Sequence, residues 1–80
     1  MEIDEILKMT DRLIFKQTGK HLDYLQEAIL RGCIQGQVYQ EIAEQHLFSE
    51  SHVKNVGYAL WNTLSKALGE KVSKKNIRTY

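Results

Sequence analysis

Residues 38–68, VYQEIAEQHLFSESHVKNVGYALWNTLSKAL, contain the strongest indication of fold in this 80-residue chain. Apolar residues recur there at steps of three and four, which predicts a short helix over about residues 39–45 and a long one over about 50–68. Ser49 precedes the long helix and is a good N-cap, because its hydroxyl can accept a hydrogen bond from a backbone N–H group that the helix leaves unpaired. Gly69 follows the long helix and is expected to cap its C-terminal end. A short helix, a tight turn and a longer helix have the spacing of a helix-turn-helix motif.

Two further helices are predicted on the N-terminal side of this motif. The apolar spacing from Ile3 to Phe15 predicts a helix that ends near residues 16–18, where Gly19 can adopt the left-handed C-cap conformation. A second helix is expected to begin after Asp23 as its N-cap and to end at Gly36. Gly32 lies inside that helix and costs up to ~1 kcal/mol there relative to Ala, so we expect another helix to pack closely against it.

The predicted fold is all-α, with a tri-helical helix-turn-helix core over residues 22–68. An additional N-terminal helix covers residues 1–18, and a short basic C-terminal extension covers residues 70–80, with a turn from Ser73 that buries Ile77. Eighty residues are too few for two ordinary domains, so residues 1–80 are expected to form a single helix-turn-helix domain. The expected interior consists of Ile6, Leu13, Leu25, Ile29, Leu30, Ile42, Ala43, Val53, Leu60, Trp61 and Leu64.

Composition excludes several classes of protein. Hydrophobic residues make up 42% and charged residues 26% of the chain, which is typical of a globular domain. No apolar run approaches the roughly 18 residues that a membrane helix needs, so no membrane partner is expected. Cys33 is the only cysteine. Without an internal disulfide, and with no basic-then-apolar leader, the sequence favours a cytoplasmic location over a secreted one.

Charge is distributed unevenly along the chain. Residues 1–48 contain five basic and eight acidic residues, for a net charge of −3. Residues 49–80 contain six basic and two acidic residues, for a net charge of +4. A basic part of this kind favours a polyanionic partner, although a basic tail can also be merely solvated.

Two stretches of the motif resemble known helix-turn-helix proteins. VYQEIAE (residues 38–44) followed by FSESHVKN (residues 48–55) resembles the LuxR/GerE-type response-regulator output domain and sigma-factor region 4. In those families an "EIA" helix precedes an "S-E-x-x-V-K" recognition helix. The chain departs from the regulator pattern at Val38, where a capping Ser, Thr or Asn is usual, and at Gly57, where a larger apolar residue is common.

A second resemblance covers nearly the whole chain. TGKHL (residues 18–22), GQVYQEIAE (36–44) and LGEKVSKKN (68–76) are similar to the N-terminal helix-turn-helix module of large cyanobacterial signalling proteins, including vWA-MoxR-associated proteins. In those proteins similar modules precede NTPase, WD-repeat or other effector domains. The resemblance therefore implies a DNA-binding type of fold, in either a whole protein or a module of a larger one, and the module could equally be an adaptor surface.

These observations predict a non-catalytic, transcription-regulator-like module that binds double-stranded DNA. The major groove, about 12 Å wide, admits one helix, so the exposed N-terminal face of the helix after Ser49 is the part that can reach bases. The base-reading candidates are Ser51, His52, Lys54, Asn55 and Tyr58, and the resemblance to the regulators implies that positions 54, 55 and 58 are the usual set. The phosphate-binding candidates are Gln37, Tyr39, Gln40, Lys71, Lys74, Lys75 and Arg78.

Other interpretations of the same residues remain open. Lys54 and Asn55 can form an ordinary solvated helix face, and Trp61 fits the core better than a base-stacking role because it lies on the apolar stripe. An alternative function is a protein-interaction or dimerisation adaptor at the N-terminus of a larger signalling protein. The partner would then be a second copy or another protein, and the helix of residues 1–16 could supply a groove or a dimer seam.

Catalytic and metal-binding functions are not expected. The three histidines and Cys33 lack metal-ligand spacing, and Cys33 lies near an apolar helical face, as a small buried hydrophobe would. The segment from Gly32 to Gly36 lacks the Lys and Ser/Thr that follow the glycines of a phosphate-binding loop. The sequence therefore predicts no catalytic residue, no metal, no cofactor and no small-molecule substrate.

Overall fold

A computed structural model describes residues 2–77 of the chain. Four helices follow one another: α1 (Ile3–Thr18), α2 (Tyr24–Ile34), α3 (Tyr39–His46) and α4 (Glu50–Leu68). Residues 2–77 contain no β-strand. The predicted all-α fold is confirmed.

The ends of the helices are fixed by local hydrogen bonds. The Asp23 carboxylate accepts a hydrogen bond from the Gln26 backbone N–H, and the Gln26 side chain accepts one from the Asp23 N–H, which forms a capping box. Ser49 Oγ accepts from the His52 N–H at 3.2 Å. Gly19 and Gly69 both end their helices in the left-handed conformation. These four predicted caps are confirmed.

Helix α4 is the central element of the molecule, because α1, α2 and α3 all pack against it. The core between the helices consists of Leu7, Ile14, Leu25, Ile29, Leu30, Cys33, Ile42, Ala43, Val53, Leu60, Trp61, Leu64, Val72 and Ile77. Ile6 and Leu13, predicted for the interior, are only partly buried, and Leu13 packs against the edge of the core. Their neighbours Leu7 and Ile14 are the fully buried members of these two adjacent pairs.

Helices α2 and α3 approach each other closely at Gly32. A Cβ atom at this position would lie 2.7 Å from the Ile42 side chain. The expected close packing of another helix is therefore confirmed, and it explains a glycine inside α2. Gly57 has a similar role in α4, where a Cβ atom would lie 3.1 Å from the ring of Tyr39.

The segment after Gly69 folds back against α4. Ser65 Oγ accepts a hydrogen bond from the Val72 N–H at 2.8 Å, which joins this segment to the helix. The Asn76 side chain accepts from the Ser73 N–H at 2.8 Å and closes a turn. Ile77 follows the turn and is buried, as predicted. The extension thus lies beside α4 and contributes to the surface that borders it.

Candidate nucleic-acid interface

The first half of α4 presents one polar side to solvent. Ser51, Asn55 and Tyr58 are exposed, and Lys54 is partly exposed. Helical steps of three and four residues place these side chains on one side of α4, which we call the recognition face. Because Ser49 caps the helix immediately before it, the recognition face occupies the first turns of α4, the part of a recognition helix that contacts base edges.

His52 is exposed at the edge of the recognition face, three residues before Asn55. Its ring lies 5.7 Å from that of Phe48, between the ring centroids, so it packs toward the turn that precedes α4. His52 thus lies on the flank of the other four base-reading candidates, on the side of the turn.

Lys54 is paired with a carboxylate of its own helix. Lys54 Nζ lies 3.0 Å from Glu50 Oε2, one turn earlier in α4. This hydrogen bond raises the pKa of Lys54 above its ordinary value, because the carboxylate favours the cationic form of the side chain. Glu50 reduces the local positive charge, and a phosphate or a base must compete with it for the ammonium group.

Tyr39 connects α3 to the centre of α4. Its hydroxyl accepts a hydrogen bond from the Trp61 indole N–H at 2.9 Å, and its ring packs edge-on against Tyr58 at 6.1 Å between centroids. Partial burial raises the pKa of the Tyr39 phenol, which therefore stays neutral at physiological pH. These contacts give Tyr39 a clear structural role beside the recognition face, in addition to the phosphate contact predicted for it.

A lysine-rich groove continues the recognition face toward the C-terminus. It is an open groove of about 900 Å³ between α4 and residues 69–75. Lys74 Nζ lies 5.6 Å from the centroid of the Tyr39 ring, a cation–π distance, and ties the extension to α3. Polar and charged residues of the groove include Tyr58, Asn62, Lys66, Lys71, Lys74 and Lys75, together with Glu70.

Asn62 and Lys66 are absent from the predicted set. They follow Tyr58 at two successive steps of four residues, so the helical spacing alone would have placed them on the recognition side of α4. Lys66 is exposed and adds a cation to the groove that Lys71, Lys74 and Lys75 border.

Comparison with known families agrees with this architecture. The family model described as vWA-MoxR associated protein N-terminal HTH matches residues 1–80. The chain belongs to this family. Searches among curated proteins and among solved structures gave no significant match. The resemblance of this vWA-MoxR-associated helix-turn-helix (HTH) module to the LuxR/GerE and sigma-factor families rests on the quoted motifs alone.

The remaining phosphate-binding candidates of the HTH module differ in how exposed their side chains are. Gln37 is half-buried and its side-chain amide donates a hydrogen bond to Gln45 Oε1 at 3.2 Å. Gln40 is exposed and donates to Glu44 Oε1 at 3.2 Å, one turn later in α3. Arg78 lies outside the described residues.

The potential metal ligands of the HTH module are not clustered between residues 2 and 77, and its cysteine is buried. Within residues 2–77, no cluster of three or more His, Cys, Asp and Glu side chains could hold a metal ion. Burial raises the pKa of the Cys33 thiol to about 11, so the sulfur is protonated and enclosed at neutral pH. No helix between residues 2 and 77 has the length and apolar character needed to cross a bilayer.

Proposed function

We propose that this HTH module is a non-catalytic, transcription-regulator-like domain that binds double-stranded DNA and inserts α4 into the major groove. The observation that carries the proposal is the exposed recognition face in the first turns of α4, directly after the Ser49 cap. Asn55 has the amide that pairs with adenine, and Lys54 has the cation that contacts guanine or phosphate. Tyr58 borders both and can contact a sugar or a base edge.

The lysine-rich groove supplies the backbone contacts in this proposal. Lys66, Lys71, Lys74 and Lys75 line the same groove as Tyr58 and place positive charge on one side of α4. Each lysine that neutralises a DNA phosphate releases a counterion, so affinity falls as salt rises. Glu50 and Glu70 lie in the same region, and their repulsion of phosphate limits the number of effective contacts.

A titration with duplex DNA at several salt concentrations tests the proposal. We expect the 80-residue chain to bind a mixed-sequence duplex at low salt, with an affinity that falls linearly on a log–log plot against salt. Lys74→Ala should reduce the slope of the logarithm of the binding constant against the logarithm of the salt concentration by about 0.9. Lys54→Ala should weaken binding at every salt concentration.

Lys8→Ala is the matched control for these variants, because Lys8 is an exposed lysine of α1, outside the proposed interface. The Lys8→Ala variant should bind DNA with the same affinity and the same salt dependence as the unmodified chain. Failure of the chain to bind duplex DNA at low salt would refute the proposal, as would equal effects of Lys8→Ala and Lys74→Ala.

A second candidate function is a protein-interaction adaptor of a larger signalling protein. The turn between α3 and α4 favours it, because Leu47 is 94% exposed and Phe48 is 38% exposed beside it. Phosphate contacts do not use such apolar groups, whereas the buried core of a protein interface is enriched in them. Light scattering that shows a stable complex with a protein partner, together with indifference to DNA, would support the adaptor over the DNA-binding function.

A further inference from the structure

Helix α1 has an apolar stripe on its outer side. Ile6 and Leu13 are half-buried and Met9 is 52% exposed. Steps of three and four residues align these three side chains, which we call the outer stripe. The stripe is separate from the buried side of α1, where Leu7 and Ile14 face the core. A single exposed apolar side chain is common on protein surfaces, so the features that surround the stripe decide whether it is an interface.

An apolar hollow lies next to the outer stripe. It has a volume of about 190 Å³ and is lined by the stripe together with Thr10, Leu64, Leu68 and Ile77. Its position is between α1 and the C-terminal end of α4. A methionine side chain is flexible and unbranched, so it fills an irregular space of this kind well.

The outer stripe has acidic residues at one end and basic residues at the other. Glu2 and Glu5 lie toward the start of α1, and Arg12 and Lys16 lie toward its end. Helical spacing places all four on the same side as Met9. Among residues 2–77, none of the four forms a salt bridge within the chain. The face is therefore acidic at one end, apolar in the middle and basic at the other.

Such a face is complementary to itself when two copies are antiparallel. If Met9 lies at the two-fold axis, residues equally distant from it are opposite one another, so Glu2 faces Lys16 of a second copy. By the same symmetry Glu5 lies close to Arg12. A parallel arrangement would instead bring like charges together, which is unfavourable.

We propose that the chain forms a homodimer through antiparallel packing of α1 against α1 of a second copy. Met9 of each copy inserts into the apolar hollow of the other, and the two ends are joined by pairs of opposite charge. The interface is isologous, because the same surface is used on both copies and the assembly is closed. This proposal goes beyond DNA binding and does not require it.

The proposed dimer leaves the recognition face free. Leu64 and Leu68 border the hollow, and the helical step places them on a different side of α4 from Tyr58 and Asn62. A single helix-turn-helix unit reads only a few base pairs, and a two-fold dimer would present two recognition helices to a two-fold symmetric site.

Sedimentation equilibrium of the 80-residue chain from micromolar to millimolar concentration tests the dimer. We expect a reversible monomer–dimer equilibrium, and we expect Met9→Glu to raise the dissociation constant roughly thirtyfold or more, as loss of a central interface residue does. Ala59→Glu is the matched control, since Ala59 is an exposed apolar residue of a helix outside the proposed interface. It should leave the dissociation constant unchanged, and circular dichroism should show that both variants retain the helical fold.

A charge exchange tests the antiparallel geometry separately. Glu5→Lys and Arg12→Glu should each weaken the dimer, and the double variant should restore it, because the exchanged charges again face opposite charges in the second copy. A chain that stays monomeric at millimolar concentration would overturn the proposal, as would a dimer unaffected by Met9→Glu. A complex that forms only with a different protein would also overturn it. DNA binding by a monomeric chain would leave the proposed DNA function intact, so the two proposals fail independently.

Discussion

At the scale of single residues, Leu47 is the strained position of the helix-turn-helix. Its φ of 60° is the only positive φ of a non-glycine residue between residues 2 and 77. The side chain is 94% exposed, so packing does not compensate for the left-handed backbone. A left-handed conformation costs an ordinary residue about 1–2 kcal/mol, and glycine adopts it without that cost. Leu47 therefore reduces stability at the turn that sets the angle between α3 and α4.

Leu47→Gly should increase the free energy of unfolding by ~0.5–1 kcal/mol, the relief of backbone strain less the extra chain entropy of glycine. Urea denaturation measures this change. Leu47→Ala keeps a Cβ atom and should give little of the gain. Equal stability of the two variants would show that backbone strain at residue 47 is not the cause.

A second local feature makes stability depend on pH. Asp11 Oδ1 accepts a hydrogen bond from the Leu22 N–H at 2.7 Å, and Asp11 Oδ2 lies 2.8 Å from His21 Nδ1. The backbone hydrogen bond from Leu22, followed by the interaction with His21, lowers the pKa of Asp11 below its ordinary value of 3.8. The ionised carboxylate thus stabilises the fold fully above that value, and this contribution is lost as pH falls through the lower pKa of the folded state.

Asp11→Asn should remove this contribution, because the amide cannot ionise. Stability measured by chemical denaturation from neutral pH down through the acid range should then fall less steeply than in the unmodified chain. If both proteins lose stability in parallel as pH falls, Asp11 does not hold the turn between α1 and α2 through its charge.

At the scale of helices, local signals were sufficient for some features and insufficient for others. The ends of α2 and α4 could be predicted because Asp23, Ser49 and Gly69 act on the adjacent turn of backbone. The buried side of α1 could not, since Ile6–Leu7 and Leu13–Ile14 are pairs of adjacent apolar residues. Either member of each pair satisfies the periodicity, and packing against α2 and α4 selects Leu7 and Ile14 for full burial.

The candidate site could also be predicted only in part, because some of it depends on packing between distant segments. The first turns of α4 could be identified from the Ser49 cap and the helical spacing. The groove could not, because it depends on how residues 70–77 fold back onto α4 through the hydrogen bond between Ser65 and Val72. The side toward which His52 packs also depends on a contact across the turn, with Phe48.

The contact between α2 and α3 leads to a prediction about Gly32. Gly32→Ala should destabilise the fold by ~1–3 kcal/mol, since the new methyl group overlaps Ile42 in a packed core. Helix propensity alone predicts the opposite, a gain of up to ~1 kcal/mol. Thermal unfolding of the Gly32→Ala variant shows whether the substitution lowers or raises the stability of the fold.

A double-mutant cycle with Ile42→Val isolates this contact. Valine lacks the terminal methyl group of isoleucine, so the cost of Gly32→Ala should be smaller in the Ile42→Val background. A cost that is independent of residue 42 would place the strain elsewhere in the molecule.

At the scale of the whole molecule, most lysines of the basic C-terminal part lie along one groove beside α4. The net charge of +1 conceals a basic side around α4 and the extension, and acidic groups at the start of α1. This separation suits a module that presents α4 to a polyanion and keeps α1 for a protein contact. The two proposals therefore use different surfaces of one small fold.

The central claim is that the first turns of α4 contact duplex DNA. Its most direct test is amide chemical-shift mapping by NMR during titration of the isotope-labelled chain with a duplex. The claim predicts the largest shift changes at residues 51–58 and 71–75, with residues 3–16 of α1 unaffected. Changes confined to α1, or no changes at low salt, would contradict it.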